Sequence, residues 1–189
     1  MSGWVADRRA EIALASVAIF SYGVQAWHFV ARREAAEMLW FCHLAALAIG
    51  LALLVRSPTL NAVAFLWLCV GTPCWLLYLA SGGELVPGSV LTHGVGLAAG
   101  AVGLRGMGIP AGAWWKALVA LVGVYALTRA LTPPSENVNL AFAVWSGWER
   151  WFPSYVLYIA VLTAVAAAVF LAVSWGLRAS GFAPPALER

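Results

Sequence analysis

Ser154–Trp175 reads SYVLYIAVLTAVAAAVFLAVSW, 22 residues without one charged side chain. As an α-helix at ~1.5 Å per residue it is long enough to cross the ~30 Å of hydrocarbon in a bilayer. Five more apolar stretches precede it: Ile12–Ala31, Ala35–Val55, Leu60–Ala80, Gly88–Leu104 and Trp114–Leu131. The fourth and fifth are marginal in length. The fold class expected is all-α, a polytopic membrane helical bundle of about six transmembrane helices, with residues 1–189 forming a single transmembrane domain.

Composition leads to the same place. Of 189 residues, 63% are hydrophobic and 10% charged, where a soluble domain has about half apolar and about a quarter charged residues. Mean hydropathy is +0.86. Charged residues gather between the apolar runs, as a bilayer requires. The net charge of +3 comes from juxtamembrane arginines, and without a basic patch or motif no nucleic-acid partner is indicated. Three cysteines, an odd number placed in apolar runs, argue against a disulfide framework. Met1–Ala10 lacks a cleavage pattern, so the first span is expected to act as its own insertion signal.

With six spans, Arg8, Arg9, Arg56, Arg105, Lys116, Arg178 and Arg189 share one face with both termini, against Arg32, Arg33, Arg129 and Arg150 on the other. The positive-inside rule then places both termini in the cytoplasm. Pro73 should kink the third span. Gly96 and Gly100 form a small-xxx-small pair suited to close helix packing. Trp145, Trp148 and Trp151 recur every third residue before the sixth span. On a helix they would form a drifting stripe, either an interfacial anchor or a lid over a site in the bundle.

Reactive or ionisable side chains within the spans are few: His28, Cys42, His43, Cys69, Cys74 and His93. Polar groups at membrane depth are costly and suggest function. From a rise of ~1.5 Å per residue, Cys42 lies about 10 Å below the start of its span, and His93 about 7 Å. His28, Cys42, Cys74 and His93 then share one leaflet with the Asn-rich segment before the sixth span. Three readings stand open. Cys42 and His93 form a nucleophile and its base, since adjacent His43 points about 100° away on a helix. His28 and His93 bind haem. Alternatively, each histidine is hydrogen-bonded locally and each cysteine acts as a small hydrophobe.

Four motifs occur in order: Trp40-Phe41-Cys42-His43-Leu44, Cys69-Val70-Gly71-Thr72-Pro73, Leu91-Thr92-His93-Gly94-Val95, and Glu136-Asn137-Val138-Asn139-Leu140 with Trp151-Phe152-Pro153. In these the chain resembles the YwaF-like family of bacterial integral membrane proteins, related to an animal transmembrane cysteine phospholipid acyltransferase. It is also similar in architecture to the androgen-induced lipid hydrolases, which use a Thr-His pair. The resemblance runs from Leu39 to Leu157. It implies a six- or seven-helix fold and acyl transfer through a cysteine acyl-enzyme, with Cys42 as nucleophile, His93 as base, and Asn137, Asn139 or Thr92 as supporting donors. The resemblance also implies a bacterial inner membrane. A membrane lipid is then the partner, and no cofactor or metal is required. The alternative is a non-catalytic small subunit of a larger membrane complex, or a homo-oligomer, presenting its tryptophan-rich surface and glycine-lined fourth helix.

Overall fold

A computed structural model describes residues Asp7–Phe182; Met1–Ala6 and the final residues, including Arg189 of the charge count, lie outside the described residues. Among the described residues the chain is all-helical. Its α-helices are α1 (Arg8–Ala31), α2 (Phe41–Val55), α3 (Pro58–Ala80), α4 (Pro87–Met107), α5 (Ala113–Leu131) and α6 (Tyr155–Ala179). Short 3-10 helices occupy Ala35–Leu39, Pro134–Glu136 and Val138–Leu140.

Helix starts follow local chemistry. Asp7 accepts a hydrogen bond from Arg9 N at 3.0 Å to begin α1. The Ser57 hydroxyl caps Leu60 N at 3.3 Å, with Pro58 in the first turn of α3. Ser154 caps Leu157 N at 3.2 Å to begin α6. Each satisfies an N–H that the helix itself leaves free. α3 runs on through Pro73 to Ala80.

Four helices, α1, α3, α5 and α6, are long and apolar enough to cross a membrane. The other two differ from the six-span expectation, each for a physical reason. α2 has 15 residues, only ~22 Å, because the stretch expected to run from Ala35 to Val55 is broken. Ala35–Leu39 is a 3-10 helix, and Trp40 is extended at φ −54°, ψ 128°. α4 has 21 residues but carries glycines, Ser89, Thr92 and His93. It packs on α1, α2 and α3 together, so its surface meets protein on several sides and has less need to be apolar.

Consecutive helices run antiparallel. Near one end, Arg8 donates to Leu53 O and Leu54 O, both at 2.8 Å, supplying hydrogens to the last carbonyls of α2. Buried Glu11 meets Arg8 at 3.1 Å and Arg56 at 3.7 Å. In the α3–α4 pair, Asn61 Nδ2 donates to Gly100 O at 3.0 Å. A Cβ on Gly96 would stand 2.8 Å from Leu68, and one on Gly100 2.8 Å from Phe65. The small-xxx-small pair therefore lets α4 close on α3. Around this four-helix unit, α5 and α6 pair with each other and lean on α3. The hydroxyl of Tyr125 meets that of Tyr155 across the α5–α6 pair.

Candidate functional site

A cavity of about 790 Å³ lies among the six helices, lined by His28 of α1, Cys42 and His43 of α2, Cys74 of α3 and His93 of α4, with Asn137 and Asn139. The groups expected to share one leaflet do converge on one space. Its volume falls in the range of small-molecule sites. Apolar side chains of α5 and α6 complete its wall. Two of these, Val122 and Val165, are also 51% and 53% exposed, so the apolar wall continues onto the outer surface.

His93 is 2% exposed and held from two directions. Its Nδ1 lies 2.8 Å from Ser89 O. A carbonyl only accepts, so Nδ1 carries the proton and Nε2 is the basic nitrogen. The Trp75 indole stacks on the imidazole with centroids 4.5 Å and planes 7° apart. Trp75 Nε1 in turn donates to Ser89 Oγ at 3.2 Å, and Ser89 Oγ to Val86 O at 2.6 Å. Tautomer and ring plane are both fixed. Nε2 itself is buried with no protein partner.

Cys42 is buried at 8% exposure and packs against Gly71, where a Cβ would lie 3.1 Å from its own Cβ. Its expected depth of about 10 Å below the start of a helix is corrected, because α2 begins at Phe41 and Cys42 is its second residue. That change matters chemically. The first turn of a helix has N–H groups free to meet an anion, and carries partial positive charge. His43 N and Leu44 N donate to Trp40 O at 2.9 and 3.1 Å, and Cys42 N has no backbone acceptor among the described residues. No hydrogen bond joins the thiol to His93 among these residues. The adjacent His43 is tied to Glu37 O through Nδ1 at 3.0 Å and lies against Phe29, as a structural group would.

Asn139 has both its amide hydrogens engaged within the protein, and Asn137 has one of its two. Asn139 Oδ1 accepts from Phe41 N at 2.9 Å, and Nδ2 donates to Leu39 O and Thr128 Oγ1, both at 2.8 Å. Both amide hydrogens are used, so Asn139 is the cap that starts α2 and not a substrate donor. Asn137 Oδ1 accepts from Phe142 N and Ala143 N at 2.9 Å, and its Nδ2 donates to Ala143 O at 3.1 Å, folding the segment on itself. Both lie in left-handed backbone, φ 44° and 55°, where asparagine is tolerated better than most residues. Thr92 is fully buried, its hydroxyl has no hydrogen-bond partner among the described residues, and it lies outside the cavity lining.

The tryptophans do not form a helical stripe. Trp148 stacks on Trp145 at 6.0 Å and on Phe152 at 6.3 Å, and meets Tyr158 edge-on at 6.5 Å. Trp145 and Trp148 line the cavity, whereas Trp151 is exposed.

Sequence reasoning passed over the acidic rim and Gln25. Glu34, Glu37, Glu84 and Glu136 line the cavity with one cation, Arg32. Arg32 is held by Glu34 at 3.2 Å and Glu84 at 3.0 Å. Burial holds the Glu37 carboxyl above the usual carboxylate range; its hydrogen bond from Trp40 opposes this, and the charges of Glu136 and Glu34 add to it. Gln25, 2% exposed, has its Oε1 buried in the wall without a partner. A glutamine inside an apolar run is a polar group at membrane depth, and that was the signal available.

Fold and site together define an all-α helical bundle with the length and hydropathy of a membrane protein, holding a mixed polar and apolar cavity among its helices. No protein-family model, curated protein or solved structure matches the chain.

Proposed function

We propose that this protein is a bilayer-embedded acyl-transfer enzyme acting on a lipid ester, with Cys42 as nucleophile and His93 as base. The observation that carries this reading is the shared cavity. It joins a thiol on the first turn of α2 to an imidazole whose tautomer leaves Nε2 free to take a proton.

In the proposed reaction His93 Nε2 takes the Cys42 proton as sulfur attacks the ester carbonyl carbon. The carbonyl π electrons move to oxygen, and the Cys42 N–H is the donor best placed on the sequence to meet the oxyanion. That N–H takes this role in place of the Asn139 amide, whose hydrogens are both engaged. The tetrahedral intermediate collapses, the carbon–oxygen bond breaks, and the His93 proton passes to the leaving alcohol. A second alcohol or water then gives its proton to His93 as its oxygen attacks the thioester carbon; the carbon–sulfur bond breaks, and His93 returns the proton to the Cys42 sulfur. Electrons and protons balance without a further reactant. In this reading both termini face the cytoplasm of a bacterial cell, so the cavity opens in the opposite leaflet of the inner membrane.

The test is labelling of the full chain in native membranes by a lipophilic, thiol-directed acyl probe. Cys42 is expected to be the labelled residue. Cys42→Ser should abolish labelling, and His93→Ala should lower it by about tenfold or more, the range for loss of a general base. Cys74→Ala and His43→Ala should retain most of it. Equal labelling in all four variants would overturn the enzyme reading in favour of a non-catalytic subunit.

A further inference from the structure

On the α1–α4 side of the cavity three buried polar atoms lack any protein partner, Gln25 Oε1, His28 Nε2 and His93 Nε2, of which the first and last are acceptors. Gln25 and His28 are three residues apart on α1, and therefore on one face. The Gln25 carboxamide lies over the start of α4, where a Cβ on Gly88 would stand 2.2 Å from its Oε1. Gln25 and His93 are each 2% exposed. An unpaired buried polar atom costs about 1–3 kcal/mol, so groups kept this way are suited to a ligand that supplies the missing hydrogens.

The rim restricts which ligand that is. Its four carboxylates face one guanidinium already bound to two of them. A phosphate headgroup would meet like charge and no free cation. An uncharged hydroxyl meets neither obstacle, and its hydrogen matches an imidazole nitrogen or a carboxamide oxygen.

We infer that this wall is a binding subsite for an uncharged, hydroxyl-bearing lipid headgroup, with His93 Nε2 and Gln25 Oε1 accepting its hydrogens. The acyl chains follow the apolar wall between α5 and α6. This rests on the acyl-transfer reading in that it names the acyl acceptor as a glycerol-type lipid alcohol. A hydroxyl bonded to His93 Nε2 is also placed to give up its proton when it attacks the thioester.

Binding is measured apart from turnover, so the two readings fail separately. The full chain in detergent is titrated with dioleoylglycerol and with dioleoylphosphatidate, and the lipid-bound fraction is read by native mass spectrometry. Dioleoylglycerol should bind about tenfold tighter. Gln25→Met and His93→Phe should each weaken it about five- to tenfold, the value of one hydrogen bond, and leave phosphatidate unchanged. Gln25→Met should melt at the same or a higher temperature without lipid, because it removes an unpaired buried acceptor; this shows that weaker binding is not unfolding. Equal binding of the two lipids, or unchanged dioleoylglycerol affinity in both variants, overturns the inference. Selective binding together with no labelling of Cys42 by the acyl probe would retain the subsite and overturn the enzyme reading.

Discussion

The α1–α4 unit and the α5–α6 pair are both helical and apolar, yet they are held together differently. In α3, 39% of the apolar window is buried within the protein, against 11% in α5 and 17% in α6. The close-packed glycines fall in the four-helix unit, although Gly23 of α1 and Gly94 of α4 have nothing within 4 Å. A Cβ on Gly50, Gly96, Gly100 or Gly103 would meet another helix at 2.9 Å or less, whereas Gly123 of α5 and Gly176 of α6 have nothing within 4 Å. Lipid tails are as apolar as leucine, so hydrophobicity alone does not drive helices together in a bilayer; close packing and interhelical hydrogen bonds do. The four-helix unit has both. The α5–α6 pair keeps its bulk outward and touches the unit chiefly through α3. A cavity between a tight unit and a looser pair has one firm wall, which holds Gln25, Cys42 and His93, and one more apolar wall better able to part.

The connection between the two regions is the first place to break this contrast. Asn139 binds Leu39, Phe41 and Thr128, linking the start of α2 to α5. Asn139→Ala removes three hydrogen bonds and leaves alanine in left-handed backbone, a loss of about 3 kcal/mol. Thermal unfolding in detergent should show it, with labelling of Cys42 reduced as the α2 start loosens. An unchanged melting temperature would mean that the cap contributes little to the fold.

A pair of glycine substitutions sharpens the packing contrast. Gly100→Ala would place a methyl 2.8 Å from Phe65 and 3.2 Å from Ile49, with an overpacking cost of about 1–3 kcal/mol. Gly123→Ala meets nothing and should be neutral or stabilising by up to about 1 kcal/mol. Similar melting temperatures for both variants would dissolve the distinction between the regions.

The smallest effect concerns the rim. Because burial holds the Glu37 carboxyl above its usual range, its folded-state pKa exceeds its unfolded one. The ionised form is disfavoured on folding, so the penalty is absent below the ordinary carboxylate range, grows as pH rises from there to the folded-state value, and is constant above it. Glu37→Gln should flatten the decline in stability over that window and keep an acceptor for the Trp40 indole. A pH profile identical to that of the unaltered protein would remove Glu37 from the account.

Sequence alone determined the helical class, five of the six helix positions to within a few residues, and the convergence of His28, Cys42, Cys74 and His93 at one end. These follow from hydropathy and from a helical rise that is the same in any context. The break before Cys42 was decided by tertiary structure. Ala35-Ala36-Glu37-Met38-Leu39 is made of good helix formers, and nothing local ends a helix there. What starts α2 at Phe41 is a carboxamide about a hundred residues further along the chain, at Asn139. The roles of the asparagines were hidden for the same reason. An asparagine beside a site reads as a donor to substrate until its hydrogens are seen to be engaged, and only the folded chain shows that Leu39 and Thr128 have taken them.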